Sequence, residues 1–113
     1  MINLDNLKAL SKHNQSFVRE ILEVYLSNTP KDLAQLTVCV EKKDWPMVRY
    51  YAHKLKSSSF TIGFTQGHQM FQLIEKVIKN EEPVDQLPQL NEEIQKLCSE
   101  CMVQVKIELS NYI

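Results

Sequence analysis

The stretch Ala52-His53-Lys54-Leu55-Lys56-Ser57-Ser58-Ser59-Phe60-Thr61-Ile62-Gly63 decides how this chain is read. At about 100° per residue, Val48, Ala52, Leu55, Ser59 and Ile62 fall within about 40° of one direction. That stripe predicts a helix laid against a core. His53 lies roughly 140° away from it, so its imidazole points outward. Arg49 and Ser57 (four residues either side), Tyr50 and Lys56 (three either side) and Phe60 share that outer face. Cations, a small residue and exposed aromatics around an outward histidine suit a nucleophile that meets a phosphorylated partner protein.

Working outward, prolines and glycines mark the joints. Asp44-Trp45-Pro46 caps the histidine helix, with proline in its first turn. Gly63 and Gly67, the only two glycines, fall together after it. Thr29-Pro30-Lys31-Asp32 combines a cap, a proline and an acid three residues after the cap, which predicts a helix start carrying Leu33, Leu36 and Val40. Pro83 and Pro88 bracket the loop before a last helix built on Leu87, Leu90, Ile94, Leu97, Cys101, Val105 and Tyr112. Helices are expected near 4–12, 15–28, 30–43, 45–61, 65–80 and 86–111. No segment alternates with period two over a strand's length. The expected fold is all-α: an antiparallel four-helix bundle with a short N-terminal helix across one end, as one domain over 1–113.

If the helices around 45–61 and 65–80 form a hairpin turning near Phe64, residues equidistant from it lie at one level. His53 then faces Glu75, Lys56 faces Gln72 and Phe60 faces His68. Gly67, Phe71, Ile74 and Ile78 make the inward stripe of the second helix, and Gly67 on it lets two backbones approach closely. Glu75, or Gln72 one turn away, could accept a hydrogen bond from one ring nitrogen of His53 and leave the other free.

At 113 residues the chain can bury a core without metal or disulfide support. Its net charge of −1 gives no basic field to recruit nucleic acid. The N-terminus lacks a signal-peptide pattern and no apolar run reaches membrane-spanning length, so a cytoplasmic protein is expected. Cys39, Cys98 and Cys101 are an odd number, against a disulfide framework. Cys98-Ser99-Glu100-Cys101 has neither a second ligand pair for zinc nor the strand-to-helix setting of a redox motif. These cysteines read as small, partly buried hydrophobes.

The histidine segment resembles the signature of the histidine-containing phosphotransfer (HPt) domains of two-component phosphorelays, roughly Ala-His-x-Leu-Lys-Gly-Ser/Ala-Ser/Ala-x-x-x-Gly. Ala52, His53, Leu55, Lys56, Ser58, Ser59 and Gly63 match, and Ser57 departs, standing where the family usually has glycine. The resemblance extends over roughly 3–80. Asn14 to Pro30, with Phe17, Ile21, Leu22 and Leu26, looks like the family's second helix, and Asp44 and Glu75 sit where it expects an acid and a glutamate or glutamine. It implies that His53 accepts a phosphoryl group from a receiver-domain aspartate and passes it to another response regulator. Receiver domains and hybrid histidine kinases are then the partners.

Imidazole ordinarily titrates at about 6.5, which leaves a neutral ring nitrogen to attack an acyl phosphate near neutral pH. Transfer is mostly positioning and charge compensation. Lys56, one turn on, can offset phosphoryl charge; Glu75 or Gln72 orients the ring; Arg49, Tyr50, Lys54, Ser57 and Phe60 form the docking face. The chain has no nucleotide-binding glycine loop and no carboxylate cluster for magnesium, so a phosphocarrier without cofactor, and not a kinase, is expected. The activated phosphate and the magnesium come from the partner, and the chain itself is expected to be a monomer. Two other readings stay open: an adaptor that binds receivers without carrying phosphate, and a small helical enzyme with His53 as general base.

Overall fold

The structure, a computed structural model, describes residues 2–112. Its helices are α1 (Asp5–Leu10), α2 (Gln15–Glu41), α3 (Trp45–Thr61), α4 (Thr65–Lys79) and α5 (Leu87–Ser110), with a single 3-10 turn at Val84–Gln86. The four long helices pack in a ring in which α3 and α5 each touch both α2 and α4. No strand occurs among the described residues. The expected all-α bundle is what forms.

The helix start expected at Thr29-Pro30 does not exist, because α2 runs straight through both residues. At about 1.5 Å per residue its 27 residues span about 40 Å, close to the molecule's longest extent of 43 Å. Pro30 removes one N–H and crowds the carbonyl four residues back, a cost of about 3 kcal/mol in a helix interior. The apolar stripe of Leu22, Tyr25, Leu33, Leu36 and Val40 crosses the proline without a change of phase, and all five are buried. Each buried side chain of that kind contributes about 1.5–3 kcal/mol, so continuity outweighs the lost hydrogen bond. Thr29 and Asp32 accordingly lie buried against the bundle and cap nothing.

The other joints follow their capping chemistry. Asn14 accepts from the Phe17 N–H at 3.1 Å to start α2, and Asp44 accepts from the Met47 N–H at 3.4 Å to start α3. Gly63 turns the chain between α3 and α4 with φ +68°, the left-handed region that favours glycine. A Cβ there would lie 1.9 Å from the Asn3 carbonyl oxygen. The N-terminal segment is that close because the Asn3 N–H donates to the Ile62 carbonyl at 3.3 Å, while Leu4 and Leu7 are buried. α1 thus closes the end of the bundle at the α3–α4 turn.

The core takes the predicted stripe of α3 whole: Val48, Ala52, Leu55, Ser59 and Ile62 are all buried. On α4 the buried set is Gly67, Phe71, Ile74 and Val77, with Ile78 only half-buried. Gly67 does make room, although what fills it is the Phe64 ring, whose carbons would lie 2.5 Å from an added Cβ, and the Ser59 hydroxyl at 3.1 Å. On α5, Leu90 and Leu97 are half-buried, as is Tyr112 just beyond its end, and Asn91 and Cys98 take inward positions. Asn91 donates to the Thr37 hydroxyl at 3.1 Å and Gln95 to the Leu33 carbonyl at 2.9 Å, a polar seam between α5 and α2.

All three cysteines are free thiols and buried. Burial first, then the neighbouring Cys101, pushes the Cys98 thiol up to about 12. Burial also raises the Cys101 thiol and lifts the Tyr25 phenol above its usual range, the phenol lying 3.7 Å from the Cys101 sulfur. They fill space as small apolar groups, more deeply than the sequence suggests.

Candidate functional site

The site stands on the outer face of the α3–α4 hairpin. Because the stripe through Leu55 is turned inward, the helix carries His53 out into solvent, and its side chain is 65% exposed. The level argument holds across the hairpin: His53 Nδ1 lies 3.2 Å from Glu75 Oε2. Glu75 is itself only 15% exposed, so the ring rests on a carboxylate set back into the protein. With Nδ1 engaged, Nε2 is the nitrogen left for chemistry.

Lys56 departs from the expected pairing. Its ammonium lies 2.8 Å from the other oxygen of Glu75, Oε1, and its side chain is 22% exposed. The ammonium sits off the line a hydrogen bond needs, so Oε1, shielded from water, has an ionic contact and no aligned donor. Gln72, the other candidate to orient His53, is exposed and makes no side-chain hydrogen bond to a described residue. The carboxylate does alone what two residues were offered for, because a lysine side chain reaches one turn beyond its own level and a glutamate spans from one partner to the other.

The remaining candidates divide into free and tethered groups. Tyr50 and Phe60 are 55% and 68% exposed, and Arg49 and Ser57 are exposed too. The Phe60 ring packs on His68 with centroids 5.5 Å apart, the second pair at a common level. Lys54 is not free: its ammonium lies 3.1 Å from Asp32 Oδ1 on α2, which raises the lysine's pKa through that hydrogen bond. Nothing in the sequence marked Asp32, since reading 29–32 as a cap gave its carboxylate another use. Ser58 and Thr61 turn their hydroxyls back to the carbonyls of Lys54 and Ser57. The Ser57 hydroxyl makes no hydrogen bond to any described residue. An open groove runs along this face, lined by Arg49, Tyr50, His53, Ser57 and Glu75 among others.

A model of the Hpt domain family matches residues 20–106. The chain belongs to the Hpt domain family. The solved Hpt domain of an Hpt sensor hybrid histidine kinase from Shewanella superposes with a TM-score of 0.84, covering 97% of this chain and 94% of that one at 23% identity. That likeness is one of fold. No curated protein matches the chain in sequence. Membership supports a histidine-phosphotransfer role in phosphorelay signalling for this Hpt domain, in a family of phosphocarrier modules. No helix among its described residues is long and apolar enough to cross a membrane.

Proposed function

We propose that this Hpt domain carries a phosphoryl group on Nε2 of His53, taking it from the aspartyl phosphate of one receiver domain and delivering it to another. The observation that carries this reading is the contact of His53 Nδ1 with Glu75 Oε2 at 3.2 Å on a ring otherwise open to solvent. Glu75 holds the proton on Nδ1, so the Nε2 lone pair faces outward. That lone pair attacks the phosphorus as the acyl P–O bond breaks, and the bonding electrons leave on the aspartate carboxylate. The ring keeps its Nδ1 proton and becomes a phospho-imidazolium beside Glu75, whose negative charge offsets the charge the ring gains. Reversal onto a second receiver needs no other group from this chain.

Magnesium, in this reading, belongs to the receiver. The docking face centres on Tyr50, Ser57 and Phe60, exposed aromatics with polar neighbours of the kind that anchor interfaces. Lys54 supports that face from its tether on Asp32. Lys56 secures Glu75 and adds positive charge beside the ring.

The test is transfer of labelled phosphate from a panel of phosphorylated receiver domains. Acid-labile, base-stable label is expected on the parent and none on His53→Gln, with helical circular dichroism unchanged. Label persisting on that variant would remove His53 from the role. Receiver binding without label on the parent would favour the adaptor.

A further inference from the structure

The cations around His53 are not equivalent. Lys54 is held by Asp32 at 3.1 Å and Lys56 by Glu75 at 2.8 Å. Both carboxylates are mostly buried, and drawing a lysine away would leave a buried negative charge without its partner. For Glu75 the loss is sharper, because Oε1 has no aligned donor even with Lys56 in place. Arg49 is exposed and makes no ion pair among the described residues, so it can turn to a new anion at the cost of side-chain freedom alone.

Placement agrees with availability. Arg49 lines the groove into which His53 opens, and Lys56 does not. Residues 49 and 53, four apart, stand one above the other on the same outer face of α3. A guanidinium also presents paired N–H groups in the fork that fits two phosphoryl oxygens, which an ammonium cannot do.

Resting on the reading of His53 as phosphoacceptor, we propose that Arg49 is the side chain that binds the phosphoryl group of phosphohistidine, while Lys56 stays on Glu75 as a positioning residue. The roles suggested by proximity along the helix are thereby exchanged. The cation three residues after the histidine steadies the carboxylate, and the one four residues before it meets the phosphate.

Phosphoramidate tests this without a receiver. The Nε2 lone pair attacks its phosphorus, the P–N bond breaks and, with a proton from solvent, ammonia leaves. The phosphorus-31 signal of phospho-His53, assigned by its absence in His53→Gln, is then titrated at low salt. A cation at contact distance lowers the phosphoryl pKa, so Arg49→Gln should raise it by about half a unit. Arg49→Lys should restore most of that shift, and Lys56→Gln should move it by less than half as much. An equal or larger shift for Lys56→Gln, or none for Arg49→Gln, overturns the assignment with the phosphocarrier reading intact. Failure of phosphoramidate to label His53 at all would instead overturn the reading beneath it.

Discussion

Replacing Glu75 by alanine separates the orientation of the histidine from its mere presence. The carboxylate accepts from Nδ1 at 3.2 Å, and a hydrogen bond to a charged group is worth about 1.5–3 kcal/mol when buried. With the ring 65% exposed, that shrinks to about 1 kcal/mol. Since 1.4 kcal/mol is about tenfold in an equilibrium, losing the contact should cut the ratio of rings with Nδ1 protonated and Nε2 free by about fivefold. The initial rate of transfer from a receiver follows the fraction of such rings and should fall by about threefold. Glu75→Gln keeps an acceptor while losing the charge that holds Lys56, so a smaller drop, about twofold, is expected. Ring nitrogen chemical shifts report the tautomers and a quenched-flow assay the rate. Lys56 can turn to water in either variant, so stability should change by less than about 1 kcal/mol. Unchanged tautomer populations in a folded Glu75→Ala variant would refute the orienting role, whatever the rate did.

Leu55→Ala should cost about 2–5 kcal/mol in urea unfolding by opening a cavity under α3, whereas Arg49→Ala, on the exposed face, should cost under about 0.5 kcal/mol; equal losses would contradict the assignment of faces. Ser57→Leu should block transfer from a receiver while Ser57→Gly stays within about tenfold of the parent and loses several tenths of a kcal/mol of helix stability, and a fast leucine variant would mean that partners do not approach over this turn. Alkali should destabilise the protein: an unfolded Cys98 ionises around 9.0 and the folded one only at about 12, so the unfolded state binds fewer protons between those values and stability falls as pH rises. That one thiol accounts for about 1.4 kcal/mol by pH 10, an amount that Cys98→Ala should remove from the difference between melts at pH 8 and pH 10. Gly63→Ala should release the N-terminal segment, seen as loss of amide protection at Asn3, because its Cβ cannot coexist with the Asn3 carbonyl; a variant retaining that protection would mean the turn can relax around a side chain.

The face of α3 was legible because helical periodicity is a local property, and all five stripe residues are buried. The His53–Glu75 pair was legible because a hairpin with a short turn converts sequence distance into height. What escaped the sequence was decided over longer range. Pro30 and its neighbours carry every local mark of a helix start, and only the burial of an unbroken stripe on either side of them overrides it. Asp32 read as a capping acid, and its partnership with Lys54 shows only once that helix is continuous and its carboxylate faces α3. The tie of Lys56 to Glu75 depends on side-chain reach, which counting residues from a turn does not measure.

Three residues, Ile62, Gly63 and Phe64, separate the two helices that carry the site, and their number acts as a gauge. Adding one residue to the start of α4 would rotate Glu75 by about 100° and move it about 1.5 Å along the axis, out of reach of both His53 and Lys56. Side chains in this corner can be traded one for another, but its length cannot. The packed N-terminal segment enforces that from outside, because Asn3 occupies the space into which a longer corner would bulge. Insertions and deletions that the loop between α4 and α5 could absorb would here part His53 from Glu75. The length of this corner thus sets the tolerance within which His53 and Glu75 are held together.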